Sequence, residues 1–376
     1  MRPLCNGFTS KHDATHTKVM TTIIADDASK QATGKRQSRN LNTKSVAIRG
    51  NQVINHLKSF ARRLTSVIGS AAILLFFSEF YFLNEGPVQM VIDTSAHDPV
   101  AMIGALVEFV LFYSLFAYIF LIALDRFMVS TVWALLLAGA LFGWATESLL
   151  VAVVYEAIPI SFIFPSISWH ALVDVMLGWY LIRRLMRSNS VMLSTVMFIL
   201  VGMIWGAWAT WFWSDTDPTA MAPVLPGDFA LYVFVTATLW IIGMVLLDYV
   251  GMPQLRISTW EVGLVLLISV PLFIALAIPF LPFSLALLPL IAITLLALWR
   301  GKVADTSARI LQIFDDVDPA WWQYLLALFT PLTAALVYPI LYNNQWSIPT
   351  EDITALLFFA GAILFFYALY RAFRQR

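Results

Sequence analysis

Ten apolar runs, each about 20 residues long, constrain this chain more than any other feature of it. A run of that length crosses a bilayer core about 30 Å thick as a single helix. Helix is the form such a run must take there, because no water is present to satisfy an exposed N–H or C=O. The runs are 64–83, 100–124, 128–152, 168–182, 191–213, 229–249, 260–278, 283–299, 321–342 and 353–370. The fourth is short unless 160–167 enters the membrane as well. The seventh and eighth form one block, interrupted by Pro279 and Pro282. About 40 residues of helix would cross twice, so the block divides at those prolines. The expected fold class is all-α, a polytopic integral membrane helical bundle of about ten transmembrane helices.

Charge placement agrees with ten spans. With the N-terminus inside, all 23 Lys and Arg fall in the N-terminal region, the inner loops or the C-terminus. The inner loops hold Arg126, then Arg183, Arg184 and Arg187, then Arg256, then Arg300, Lys302 and Arg309. The outer loops carry carboxylates instead, from Glu85, Asp93 and Asp98 to Glu351 and Asp352. This is the positive-inside pattern. It predicts N-in/C-in topology in a cell (plasma or inner) membrane. Only 12% of the chain is charged, against about 25% in soluble domains.

Three regions are expected. Residues 1–50 are polar and basic, with too little apolar surface to fold alone, and read as a disordered cytoplasmic tail. Residues 51–63 place Ile54, Leu57 and Phe60 at helical spacing beside Lys58, Arg62 and Arg63. They read as a basic amphipathic helix in the interface, with a plain extension of the first span as the alternative. Residues 64–376 form a single transmembrane helical domain. The inner loop 303–318, with Ile310, Leu311, Ile313 and Phe314, reads as a short interfacial helix.

The spans hold no Lys or Arg, yet they hold Glu79, Glu108, Glu147, His170 and Asp174. An ionisable group is costly in hydrocarbon, so it should face protein or water. At 1.5 Å per residue, Asp174 lies about 13 Å above Arg183, near mid-membrane, and Glu108 reaches a similar depth from the other side. His170 is one turn from Asp174 on the same helix face. Glu147 lies about 30 Å from Arg126, near the outer surface, where contact with His170 is not assured. The expected arrangement is a polar column opening outwards: Glu147 at the mouth, His170 below it, Asp174 and Glu108 at the floor. A histidine among carboxyls supplies the parts of a proton relay. Each group has a structural alternative, a hydrogen bond to a neighbouring span.

Trp205, Trp208 and Trp211 recur every third residue in IWGAWATWFW. With Trp169 they would make an aromatic wall for a lipid, isoprenoid or sugar-bearing ligand, although belt and packing roles compete. Gly202 and Gly206 would let a neighbouring helix approach closely.

Several chemistries lack their residues. There is one cysteine, Cys5, so no intramolecular disulfide and no zinc-type cysteine spacing. There is no P-loop, no GxGxxG and no GxSxG. No cofactor and no metal are expected. The expected partners are the lipid bilayer and a small solute or lipid-like ligand, not nucleic acid. A proton- or cation-coupled transporter with an outward-opening polar site fits best. An intramembrane enzyme on a lipid or isoprenoid-type substrate is one alternative. A non-catalytic scaffold or assembly subunit is the other.

Overall fold

Short polar residues start the helices and permissive ones stop them. Asp98 accepts from the Ala101 amide at 2.9 Å with Pro99 in the first turn, Thr131 accepts from Ala134 at 3.1 Å, and Ser190 accepts from Leu193 at 3.3 Å. Ser258 and Glu261 form a reciprocal capping box at the start of the seventh long helix. Gly251, at φ +74°, ends the sixth, a conformation that side chains with a Cβ resist.

The computed structural model describes residues 54–374 apart from 56, 96, 215–221, 252–254, 304, 306–308 and 315–316. The tail expected at 1–50, and Asp215 and Asp217 of an outer loop, lie outside the described residues. The described residues form helices and connecting loops without a strand. Ten of these helices are long and apolar enough to cross a membrane, which fits a multi-pass membrane protein. In chain order they are α1 Leu57–Tyr81, α3 Pro99–Arg126, α4 Val132–Leu149, α5 Ile160–Met186, α6 Val191–Ser214, α7 Pro226–Val250, α8 Thr259–Phe280, α9 Phe283–Arg300, α10 Trp321–Asn344 and α11 Thr350–Arg374. The shorter α2, Glu85–Ser95, lies between the first two. Residues 160–167 do belong to the fourth of these helices. The seventh and eighth runs are indeed separate helices, broken at Pro279 and Pro282.

Within 62–376, α5 packs chiefly against α4, and α6 against α10. Small residues make both seams. A Cβ on Gly143 of α4 would overlap the Ser166 carbonyl of α5, and one on Gly202 of α6 would overlap the Thr330 carbonyl of α10. A Cβ on Gly206 would come within 2.8 Å of the Ala334 carbonyl. Without a hydrophobic drive between helices in lipid, such backbone proximity supplies the dispersion contact that holds them. The close approach expected at Gly202 and Gly206 is therefore present.

The ends that carry arginine are tied by polar contacts. Asp248 of α7 receives Arg183 Nη2 at 2.9 Å and Arg187 Nη2 at 2.6 Å from α5, and the Tyr324 hydroxyl of α10 at 2.7 Å. Phe314 lies against both guanidiniums, at 4.2 and 4.8 Å. The loop segment expected to lie in the interface therefore turns inward: Ile310, Leu311 and Phe314 are buried. A second knot joins Asp125, Arg309, Arg126 and the Ile257 backbone.

Candidate functional site

The polar residues meet where α4 and α5 are in closest contact. Gly139 and Gly143 are one turn apart on α4, and a Cβ on either would crowd Ala171 or the Ser166–His170 stretch. Glu147 is one turn further along the same face. The connector is held in place by the Trp144 indole donating to the Phe162 carbonyl at 2.9 Å and the Ser161 hydroxyl donating to Val154 at 2.6 Å. From Ser166 to Leu181, α5 is wound with hydrogen bonds that skip five residues, as from the His170 amide to Pro165. Such wide turns are rare and recur at functional sites.

His170 bridges two carboxyls. Its Nε2 lies 2.6 Å from Glu147 Oε1, and its Nδ1 lies 2.7 Å from Asp174 Oδ2. All three are buried, Asp174 completely. The direct contact between Glu147 and His170, which depth alone left open, is made because 160–167 runs inside the bundle and brings His170 level with the end of α4. A ring carrying two protons donates to both carboxylates at once. A ring carrying one needs a carboxyl to hold the other and donate back. The two arrangements differ only in which atom holds a proton.

The network continues beyond these three. Ser78 Oγ is 3.1 Å from His170 Nδ1, and the Tyr113 hydroxyl reaches Ser78 Oγ at 2.7 Å. The same hydroxyl contacts Glu79, whose other oxygen accepts from Asn84 Nδ2 at 2.7 Å. Polar groups in contact thus run from buried Asp174 to exposed Asn84, with Asp174 and Ser78 as alternative partners of His170 Nδ1 and Ser78 and Glu79 as alternative acceptors of the Tyr113 hydroxyl. Sequence reasoning noted Glu79 as intramembrane but left it, Ser78 and Tyr113 out of the site. The missed signal is that Ser78 and Glu79 sit in FFSEFY, a polar pair inside an aromatic run.

Glu108 does not belong to the floor of the site. It is on the exposed face of α3, beside Val107, Leu111 and Phe112, while Tyr113 on the opposite face enters the network. Spacing along the chain does not tell which side of a helix a residue takes.

Two of the four tryptophans, Trp169 and Trp205, have a different task from the wall expected of them. The turns at Phe76–Tyr81 are also wide, and the carbonyls around them accept side-chain donors. Trp169 donates to Phe77, Trp205 and Tyr232 to Phe80, and Trp208 to Phe82, at 2.7–3.1 Å. Three of the four indoles are therefore anchors for α1. The stripe also breaks at 209–210, where α6 turns, so Trp211 leaves its register. Trp208 and Trp211 line a cavity of about 810 Å³. Phe82, Phe164, Phe358 and Phe359 contribute to its apolar wall, and Asn84, Glu85, Thr350 and Glu351 are its polar lining. Trp169 and Trp205 stand behind it rather than in it. Asn84 belongs to both the cavity and the buried network.

Among the described residues no three His, Cys, Asp or Glu are grouped to hold a metal ion. The geometric reason is that Glu147 and Asp174 address opposite nitrogens of one ring rather than a shared point. In comparisons with known proteins, no family model matches the chain, and neither does any curated protein or solved structure. The functional reading therefore stands on these side chains alone.

Proposed function

We propose that this protein is a proton-coupled transporter of a small amphipathic or lipid-like solute. The observation that carries the reading is the series of polar contacts Asp174–His170–Ser78–Tyr113–Glu79–Asn84, in which Asp174 and Ser78 alternate on one nitrogen of His170 and Glu147 holds the other. Its inner members are sealed from solvent, and its outer member lines an apolar cavity large enough for a drug-sized molecule. A proton taken up at one end can be passed on without a charged side chain having to move through hydrocarbon. The test is proton movement in vesicles reconstituted with the pure protein and loaded with a pH-sensitive dye. An imposed pH gradient should collapse faster than in protein-free vesicles when a transported solute is present. No added proton movement with any amphipathic solute would overturn the reading.

The enzyme reading has one candidate nucleophile, Ser78, at 3.1 Å from His170. Asp174 takes the same ring nitrogen at shorter range, and the Ser78 oxygen already accepts from Tyr113. Ser78 is also buried away from the cavity, so the arrangement favours proton transfer over acyl transfer.

The concentration of arginine at one set of helix ends supports N-in/C-in topology in a plasma or inner membrane. Reporter fusions after Arg187 and Arg374 should then read cytoplasmic, and fusions at Asp93 and Thr350 should read external. A C-terminus found outside would mean that one of the ten helices does not cross.

A further inference from the structure

We propose a second binding site, for the phosphate headgroup of an anionic phospholipid, in the basic cleft where α3, α8 and the end of α9 meet. The cleft has a volume of about 390 Å³ and is lined by Arg126, Arg256 and Lys302, with Asp125, Met128 and Ile257. Among the described residues that line it, three cations face one carboxylate. Asp125 is the carboxylate of the cleft, and both its oxygens are engaged: Oδ1 by Arg309 at 3.2 Å and Oδ2 by the Ile257 amide at 3.0 Å. Arg309 therefore answers its charge. Arg126 is oriented by donating Nη2 to the Ile257 carbonyl at 2.8 Å, a neutral partner. Arg256 stands 4.0 Å from Asp125 and is 61% exposed on its side chain, free to turn towards a ligand. Lys302 is exposed and has no ion-pair partner among the described residues.

Position selects the source of the anion. Arg126 is the last residue of α3, Arg256 precedes α8, and Lys302 follows α9, so all three cations sit at helix ends, the level of lipid phosphates. Trp260, Leu264 and Leu267 share one face of α8, which begins two residues after Ile257 of the cleft, and are 59%, 48% and 70% exposed. That stripe offers an acyl chain an apolar track directly beneath a bound headgroup.

The experiment uses the full chain in detergent, stripped of lipid, with bound lipid counted by native mass spectrometry. Dioleoyl-phosphatidylglycerol should bind about ten-fold or more tightly than dioleoyl-phosphatidylcholine. The double variant Arg256→Ala with Lys302→Ala should lose that preference, as should Lys302→Ala alone in large part. Both side chains are exposed, so the lipid-free melting temperature should stay at the wild-type value. Arg374→Ala, at an exposed position on α11, should keep the preference. Equal binding of the two lipids, or equal loss in Arg374→Ala, would overturn the proposal by showing diffuse attraction. Displacement of the lipid by inorganic phosphate or glycerol phosphate at matching concentration would also overturn it, in favour of a soluble anion.

Discussion

Proton flux through reconstituted Asp174→Asn or His170→Gln protein is expected to fall by about a hundred-fold or more, with the fold intact. Asparagine has the shape of aspartate and can still accept from His170, but it cannot carry the proton. It also removes a potential charge from a completely buried position, so stability should not suffer. Glutamine at 170 can reach one carboxyl but not both, and it cannot exchange donor and acceptor roles as an imidazole does. Tyr113→Phe should give a comparable loss by removing the hydroxyl between Ser78 and Glu79. Glu108→Gln should leave flux unchanged, because that carboxyl is on the exposed face of α3. Thermal melting in detergent, measured on the same preparations, separates function from folding. A purely structural network predicts lowered melting temperatures and flux lost only in proportion to folded protein. Full flux in Asp174→Asn would remove the relay from consideration.

The largest stability effect is expected at the opposite end of the bundle. Asp248→Ala should cost about 3–5 kcal/mol, because it leaves the buried guanidiniums of Arg183 and Arg187 without their carboxylate. Tyr324 loses its acceptor in the same step. The melting temperature should drop on the order of 10 °C. Phe314, packed on both arginines, offers a ring face but no hydrogen-bond acceptor in the carboxylate's place. Combining Asp248→Ala with Arg183→Met should recover part of the loss, since an unpaired buried charge is then replaced by an apolar chain of similar length. A single Asp248→Ala variant melting near the wild-type temperature would show that water or a neighbouring carbonyl meets the arginines, and that the knot contributes little.

Much of this architecture is local. The number of long apolar helices and the gathering of arginine at alternate helix ends follow from run length and charge, properties of a segment and its flanks. So does distance along a helix: Asp174, His170 and Glu108 could each be given a position relative to a helix end. What a segment does not contain is the direction its side chains face around the helix axis. In a soluble helix the apolar stripe reveals that direction. Here lipid and protein interior are both apolar, so the helices are apolar on every side and the stripe is absent. Tertiary contact alone therefore turned Glu108 outward and Tyr113 inward on the same helix. It joined Glu147 to His170 through the glycine seam of α4, and it brought Ser78 and Glu79 to them from a span remote in sequence. It also set three tryptophans to hold the carbonyls around the wide turns of α1, a demand created by backbone winding that residue spacing does not record.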